Sequence, residues 1–398
     1  MKLSNRLALV QPSKTLEISA KAKEMQASGI DVVSLAAGEP DFMPPDAVHD
    51  AACAAIRAGA GRYTQTAGTP ALRRAIAARV KTDHGLDYDI GEILVTNGAK
   101  QAIFNAIYVT ADPGDEVIIP TPYWTSYPEM AQALQVKPVF LHTSPKDGFR
   151  LHGAALEKLV TPRTRALLLN SPNNPTGALI SRAELEEVAA IARRGNFWII
   201  TDDIYEKLVF NGKKALNILA VAPDLRERTI VVNGLSKTYC MTGWRVGYAH
   251  GPRAIIRDLE VIQGHSTSCA NAIAQAAALT ALTKIGPEHI TMMVREYERR
   301  AAAVHARLVA LPGIRLADPV ASFYLFPTVE DVFGKRFKGK PITSSLDFCR
   351  ILLEDFHVAA VPGEAFGATG SFRMSFACSM EELDKAVTRI ESMFAALD

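Results

Sequence analysis

From about Asp46 to Gly251 the chain alternates short unbroken apolar runs with stretches whose apolar residues return every three or four positions. The runs are Ile93-Leu-Val95, Glu116-Val-Ile-Ile119, Pro138-Val-Phe-Leu141, Ala166-Leu-Leu-Leu169, Phe197-Trp-Ile-Ile200, Ile230-Val-Val232 and Val246-Gly-Tyr248. Apolar runs without polar interruption suit strands buried on both faces, and the intervening helical stretches supply the cover. In one of these, Ala183 to Arg194, the residues Leu185, Val188, Ala189 and Ile191 fall on one face. Asp46 is expected to cap a helix through Arg57 that stops at Gly59, and Thr69-Pro70 to open another that ends near Gly85.

Past about Arg253 the pattern changes. It predicts two long helices, the second from Pro287 to about Leu311, and then shorter strands at Phe323–Phe326, Val358–Val361 and Phe372–Phe376. A closing helix starts at Met380, and an N-terminal helix over about Thr15 to Ser28 is expected to pack with this part. The expected fold class is therefore α/β. A large domain, 46–289, holds a mostly parallel seven-stranded sheet covered by helices, beside a smaller discontinuous α+β domain of 1–45 and 290–398.

Composition removes several function classes. The 398 residues are 48% hydrophobic and 22% charged with a net charge of +2, which gives no general attraction to nucleic acid or to an anionic membrane. The densest basic spot, Gly334 to Lys340, reads as a solvated loop. No apolar run reaches membrane-spanning length, and the stretch Met1 to Arg6 lacks the apolar core of a signal peptide. Five scattered cysteines without a CxxC pair suit reduced thiols, a cytoplasmic location and the absence of a metal site.

Chemistry concentrates at the predicted strand ends, where open α/β sheets gather ligands. The strand at 230–232 leads into Ser236-Lys237, with Arg245 eight residues on. A lysine desolvated at a strand end is biased toward its nucleophilic free amine, and the arginine offers a fixed positive charge for a phosphate. That pairing is what a lysine Schiff base with pyridoxal phosphate (PLP) requires, although a solvated turn lysine beside a structural arginine has the same residues. Strand 93–95 runs into Thr96-Asn-Gly-Ala-Lys-Gln101, whose N–H groups at a helix start could meet a phosphate. Strand 166–169 ends in Asn170 to Gly177, either a rigid turn or a mount for the Asn174 amide. Strand 197–200 ends at Asp202-Asp203, and Asp202 is expected to face the cleft with Tyr205 one helical turn along. A carboxylate there, if it is not a helix cap, could keep a pyridine nitrogen protonated. Trp124 could stack on a planar ring or serve the core, and Arg373, in an apolar strand, needs a carboxylate from a substrate or from an acidic side chain.

With these motifs in place, the chain resembles the class I aminotransferases, PLP enzymes of fold type I, and among them the bacterial aspartate aminotransferases. The resemblance runs from about Pro12 to the C-terminus through Pro12-Ser-Lys-Thr15, Ala37-Gly-Glu-Pro-Asp-Phe42, Arg62-Tyr63, Asn170 to Gly177, Ser236-Lys237, Met241 to Arg245 and Arg373. It implies that Lys237 binds PLP covalently, that Asp202 pairs with the ring nitrogen, and that Tyr205 and Asn174 bond the ring's phenolic oxygen. It further implies Trp124 stacked on the ring, and a phosphate held by Ala99 and Lys100 N–H groups, Ser236, Arg245 and a partner subunit's Tyr63, hence a homodimer with shared sites. Gly38, Arg373 and Asn174 would take the substrate α-carboxylate, and Ser13, Thr15 and Lys100 a distal one. The implied reaction is ping-pong transamination between an amino acid, aspartate or glutamate foremost, and a 2-oxo acid. An aromatic, prephenate or broad-specificity aminotransferase, or a C–S lyase, is the alternative. Three departures bear on substrate choice: Lys14 replaces a small residue, Ala99 a glycine, and Gln263 to Ser268 contains no arginine for the distal carboxylate. Gly234 also stands where many relatives place a phosphate-binding serine.

Overall fold

The computed structural model describes residues 4–398, so the first three residues of the N-terminal reading lie outside the described residues. A short strand β1 (Val33–Ser34) precedes seven strands: β2 (Ile93–Thr96), β3 (Glu116–Thr121), β4 (Lys137–His142), β5 (Thr164–Asn170), β6 (Trp198–Asp202), β7 (Thr229–Gly234) and β8 (Gly247–His250). These seven form one sheet in the order β2-β8-β7-β6-β5-β3-β4. Its pairings are parallel from β4 through β7, while β8 runs antiparallel to both of its neighbours.

Helices α1 (Lys14–Ala27), α2 (Asp46–Arg57), α3 (Pro70–His84), α4 (Ala99–Thr110), α5 (Ser126–Ala133), α6 (Gly153–Leu159) and α7 (Arg182–Arg194) accompany them. The strands alternate their side chains between two covered faces. Val117 and Ile119 meet Ile103 and Ile107 of α4, whereas Ile118 and Ile199 meet Leu185 and Val188 of α7. Each such fully buried aliphatic side chain contributes roughly 1.5–3 kcal/mol. The end signals hold in most places. Thr69 Oγ1 accepts from Leu72 N at 3.4 Å ahead of Pro70, and Gly85 closes α3 with φ +72°. Ser181 and Glu184 form a reciprocal cap on α7. Asp46 differs: it is the first helical residue, behind Pro45, and makes no side-chain cap, so its carboxylate only favours the positive end of α2.

The region after β8 corrects the count of helices. Three are present, α8 (Arg253–Ser266), α9 (Ala272–Lys284) and α10 (Pro287–Leu308). The first two are separated where Ser268 takes φ +59° and Asn271 caps α9 by accepting from Ala274 N at 3.0 Å. The helix α10 stops at Leu308, short of Leu311. Then follow β9 (Tyr324–Leu325), β10 (Arg336–Phe337), β11 (Lys340–Pro341), α11 (Ser345–Glu354), β12 (Val358–Ala359), β13 (Val361–Pro362), β14 (Phe372–Ser375) and α12 (Met380–Ala395). The basic stretch read as a loop is the small antiparallel pair β10–β11. The order β13-β14-β9 makes an antiparallel sheet, and β1 pairs in parallel with β12. Tyr297 of α10, Phe323, Phe372, Phe376 and Ile390 form its core together with Leu208 and Phe210 from the segment after β6. Ala22 of α1 packs with Ala359, Val361 and Phe366.

Gly247 marks the tightest joint beneath the site. A Cβ there would lie 2.4 Å from Ala99 N and 2.5 Å from Gly98 C, both backbone atoms that cannot swing aside. We expect Gly247→Ala to lose about 2 kcal/mol or more of stability in urea denaturation. Gly61→Ala, whose Cβ meets nothing within 4 Å, should stay within about 0.5 kcal/mol of the parent.

Candidate active site

The carboxyl ends of β5 and β6, the start of α4 and the turn after β7 surround a cavity of about 600 Å³. Lys237 reaches it because β7 ends where it is pressed against β8. A Cβ on Gly234 would sit 3.1 Å from Gly247 Cα, so the chain turns immediately and presents Ser236 and Lys237 to the cavity. The Lys237 ammonium donates to the Gly38 carbonyl at 2.5 Å. Burial pulls its pKa down to about 8; the carboxylates of Glu39 and Asp202 oppose this, and the charges of Arg373 and Arg245 reinforce it. Far more free amine is thus available near neutrality than for an ordinary lysine.

Asp202 is 3% exposed at the last position of β6. Its Oδ2 accepts from the Tyr127 hydroxyl at 2.7 Å and its Oδ1 from Ile204 N at 3.2 Å. Burial raises its pKa to about 6 against these hydrogen bonds and the Lys237 charge. Asp203 turns the other way, accepting from Asn217 Nδ2 at 2.6 Å, and does not line the cavity. Tyr205 does line it, but by way of an irregular turn after β6 rather than the helix that was expected.

Arg373 of β14 decides between the two partners its sequence context allowed. Buried at 2% exposure, it donates to Asn174 Oδ1 at 3.0 Å and to the Ala36 carbonyl at 2.8 Å, both neutral. Its Nε is buried with no partner, and no acidic side chain is bonded to the guanidinium. A buried cation satisfied only by neutral acceptors is ready for an anionic ligand. Asn174 is held in turn by its own N–H to Asn170 Oδ1 at 2.9 Å, and Asn170 Nδ2 reaches the Asp202 carbonyl at 2.8 Å.

At the opposite end, Ala99 and Lys100 begin α4, where the first N–H groups have no intrahelical partner. Arg245, in the left-handed region at φ +56°, donates to the Thr242 carbonyl at 2.9 Å and lies over Gly98. A Cβ on Gly98 would meet the guanidinium at 2.5 Å. Ser236 completes this cationic corner. Lys100 extends along the wall with its ammonium 4.9 Å from the Trp124 ring, and its pKa is lowered by burial and by the Arg245 charge.

Ser13 and Thr15 border the cavity from the start of α1, where Ser13 Oγ also caps the helix by accepting from Leu16 N. Lys14, between them, turns outward to Glu17 at 2.9 Å. Tyr63 is not brought in: it is 90% exposed and lines no part of the cavity. Gln263 replaces an ionic role with a packing one, donating to the Thr66 and Val95 carbonyls at 2.9 and 2.8 Å. Sequence reasoning missed Tyr127, Glu39, Thr242 and Tyr324. Tyr127 was signalled only by its position one helical turn beyond Trp124. Glu39 accepts from the Thr242 hydroxyl at 2.6 Å, a contact between segments far apart in the chain. Among the described residues no group of His, Cys, Asp and Glu could hold a metal ion, and no helix is long and apolar enough to cross a membrane.

The family described as aminotransferase class I and II matches residues 30–390. The chain belongs to the class I and II aminotransferases. It is 44% identical to an aspartate/prephenate aminotransferase of Nitrosomonas europaea, over 99% of this chain and 100% of the relative. The crystal structure of the aspartate aminotransferase of Rhizobium meliloti superposes with a TM-score of 0.96, at 42% identity over the whole of both chains. That of Thermus thermophilus with maleate gives 0.92 at 38% identity, covering 98% of this chain and 99% of that one. These matches bear out the α/β fold with its mostly parallel seven-stranded sheet, and the reading of the chain as an aminotransferase. Membership implies PLP, and the donor set suits it: an amine of lowered pKa, a buried carboxylate with no cation bonded to it, and a cationic corner at a helix start.

The two perturbed groups make the site a source of instability. Asp202 is raised from 3.8 to about 6, so its penalty is absent below the unfolded value and complete above the folded one. In protein freed of cofactor, Asp202→Asn should therefore raise the urea midpoint at pH 7.5 and give little or no gain at pH 3.5. An equal gain at both values would show that burial of the charge is not the cause.

Proposed function

We propose that this aminotransferase uses PLP, held at Lys237, to exchange amino groups between a dicarboxylic amino acid and a 2-oxo acid by a ping-pong reaction. The observation that carries the proposal is the single cavity shared by the Lys237 amine, the buried Asp202 carboxylate and the neutrally partnered Arg373. Bound there, PLP supplies an electron sink for the charge released at the substrate Cα. Asp202 suits the ring nitrogen, since a cation beside it offsets the burial that raises its pKa. Tyr205 and Asn174 face the phenolic oxygen's expected place, Trp124 the ring, and the Ala99 and Lys100 N–H groups, Ser236 and Arg245 the phosphate.

Arg373 and Asn174, with Gly38 on the facing loop, take the α-carboxylate and so orient the Cα–H bond. The free Lys237 amine then removes that proton and returns it on the other side of the reaction, a task suited to an amine near pKa 8. Between transfers the Gly38 carbonyl is the acceptor that keeps this amine in place. We assign the distal carboxylate to Ser13, Thr15 and Lys100, which border the cavity, and the bound maleate of the Thermus relative supports a dicarboxylate. The alternative, prephenate as the acceptor or an aromatic amino acid as the donor, draws on the roughly 600 Å³ of space and on the Nitrosomonas relative's name. We also propose a homodimer in which Tyr63 of one subunit completes the phosphate corner of the other; its 90% exposure supports a role outside its own subunit. The unit closing over the site is assigned to 1–45 and 290–398, and the unit carrying it to 46–289.

Steady-state kinetics with 2-oxoglutarate as acceptor test the assignment. Arg373→Gln should raise KM for aspartate and phenylalanine alike by about a hundredfold, because both carry the α-carboxylate. Lys100→Met should raise KM for aspartate about tenfold and leave phenylalanine nearly unaffected. A parent enzyme that turns over phenylalanine or tyrosine far faster than aspartate with 2-oxoglutarate, and far faster than glutamate with oxaloacetate, would overturn the acidic-substrate reading.

A further inference from the structure

We propose that Tyr324 is a positioning residue that couples the carboxylate-binding arginine to the phenol of Tyr205. The proposal rests on the PLP reading above and adds to it a side chain for which that reading has no role. Tyr324 sits on β9, edge to the cavity and 1% exposed. Its strand pairs with β14 so that Ser375 lies opposite Tyr324, two residues from Arg373. The Arg373 guanidinium consequently rests 4.4 Å from the centre of the Tyr324 ring. The Tyr324 hydroxyl lies 3.1 Å from the Tyr205 hydroxyl, and among the described residues neither oxygen has another side-chain partner. A Cβ on Gly38 would stand 3.0 Å from the same hydroxyl, so the phenol also limits how the Gly38 loop approaches.

One ring thus touches three parts of the site through different chemistry. Its face supports a buried guanidinium by cation–π attraction. Either hydroxyl can donate to the other; with Tyr324 as the donor, the Tyr205 proton is free to point into the cavity and Tyr205 is the stronger donor. Core packing alone would need only the ring; a phenylalanine would fill the same space. Around Tyr205 the other titratable or charged groups are Lys237, 5.8 Å from its ring, together with Asp202, Tyr127 and Arg373.

The experiment uses full-length enzyme loaded with PLP, carrying Tyr324→Phe, Tyr324→Leu, Tyr205→Phe, or Tyr205→Phe with Tyr324→Phe. Its readouts are kcat, KM for the amino acid, and the pH midpoint of the visible absorbance. Tyr324→Phe keeps the ring, so KM should stay within about twofold while kcat falls about tenfold. The weakened Tyr205 donor should move the absorbance midpoint to higher pH. Tyr324→Leu should in addition raise KM about tenfold, as the guanidinium loses its support. In the Tyr205→Phe background, the second substitution should move the midpoint no further, because its effect passes through Tyr205. The inference is overturned if Tyr324→Phe alters only the melting temperature, if the two tyrosine effects on the midpoint add, or if Phe and Leu give the same KM. A parent protein that shows no visible band with PLP would instead overturn the cofactor reading, and this inference with it.

Discussion

Three charged side chains are held in one cavity without ionic partners of ordinary kind, and the surrounding structure exists to keep them so. Asp202 is bonded to a phenol and a backbone N–H, Lys237 to a carbonyl, and Arg373 to an amide oxygen and a carbonyl. Removing such groups from water without pairing them is unfavourable, and the unfavourable part appears in the carboxylate pushed up to about 6 and the amine pulled down to about 8. Either shift is relieved when a ligand of matching charge arrives. Stability forgone at these groups becomes binding and preorganisation toward the ligand.

The fold supplies the rigidity this requires. The register that sets Asn170 opposite Asp202 across β5 and β6 also joins the Asn174 mount to the Asp202 backbone carbonyl through the Asn170 side chain. On the other flank, β7 and β8 are packed closely enough that a Cβ would be tight at Gly234 and would collide with backbone at Gly247, and the Gly247 contact fixes the start of α4 against the arginine corner. The second sheet then brings Arg373 and Tyr324 down as neighbours on β14 and β9. A displacement of any one of these strands would move a charge relative to its neutral acceptors, which is why the site is built from strand ends rather than from long loops.

The sheet was legible because parallel strands covered on both faces must be apolar throughout, and each of the seven runs stands within a residue or two of its strand. Cleft residues at strand ends were legible for the same reason, since the end of an apolar run locates the polar side chain that follows it. Other features left no such trace. The break between α8 and α9 lies in a polar stretch whose helical neighbours continue the same periodicity, so only the positive φ of Ser268 and the Asn271 cap reveal it. Tyr127 and Tyr324 read as core aromatics, and their roles arise from partners 75 and 119 residues away. Lys14, which replaces a small residue between Ser13 and Thr15, pairs with Glu17 on the same exposed helix face.

The central claim is that one amine, made reactive by burial, carries the cofactor. Incubating the protein with PLP, reducing it with borohydride and mapping the modified peptide by mass spectrometry reads this directly. The account predicts a single pyridoxyl group on Lys237. The same group on Lys100 or another lysine, with Lys237 unmodified, would contradict it.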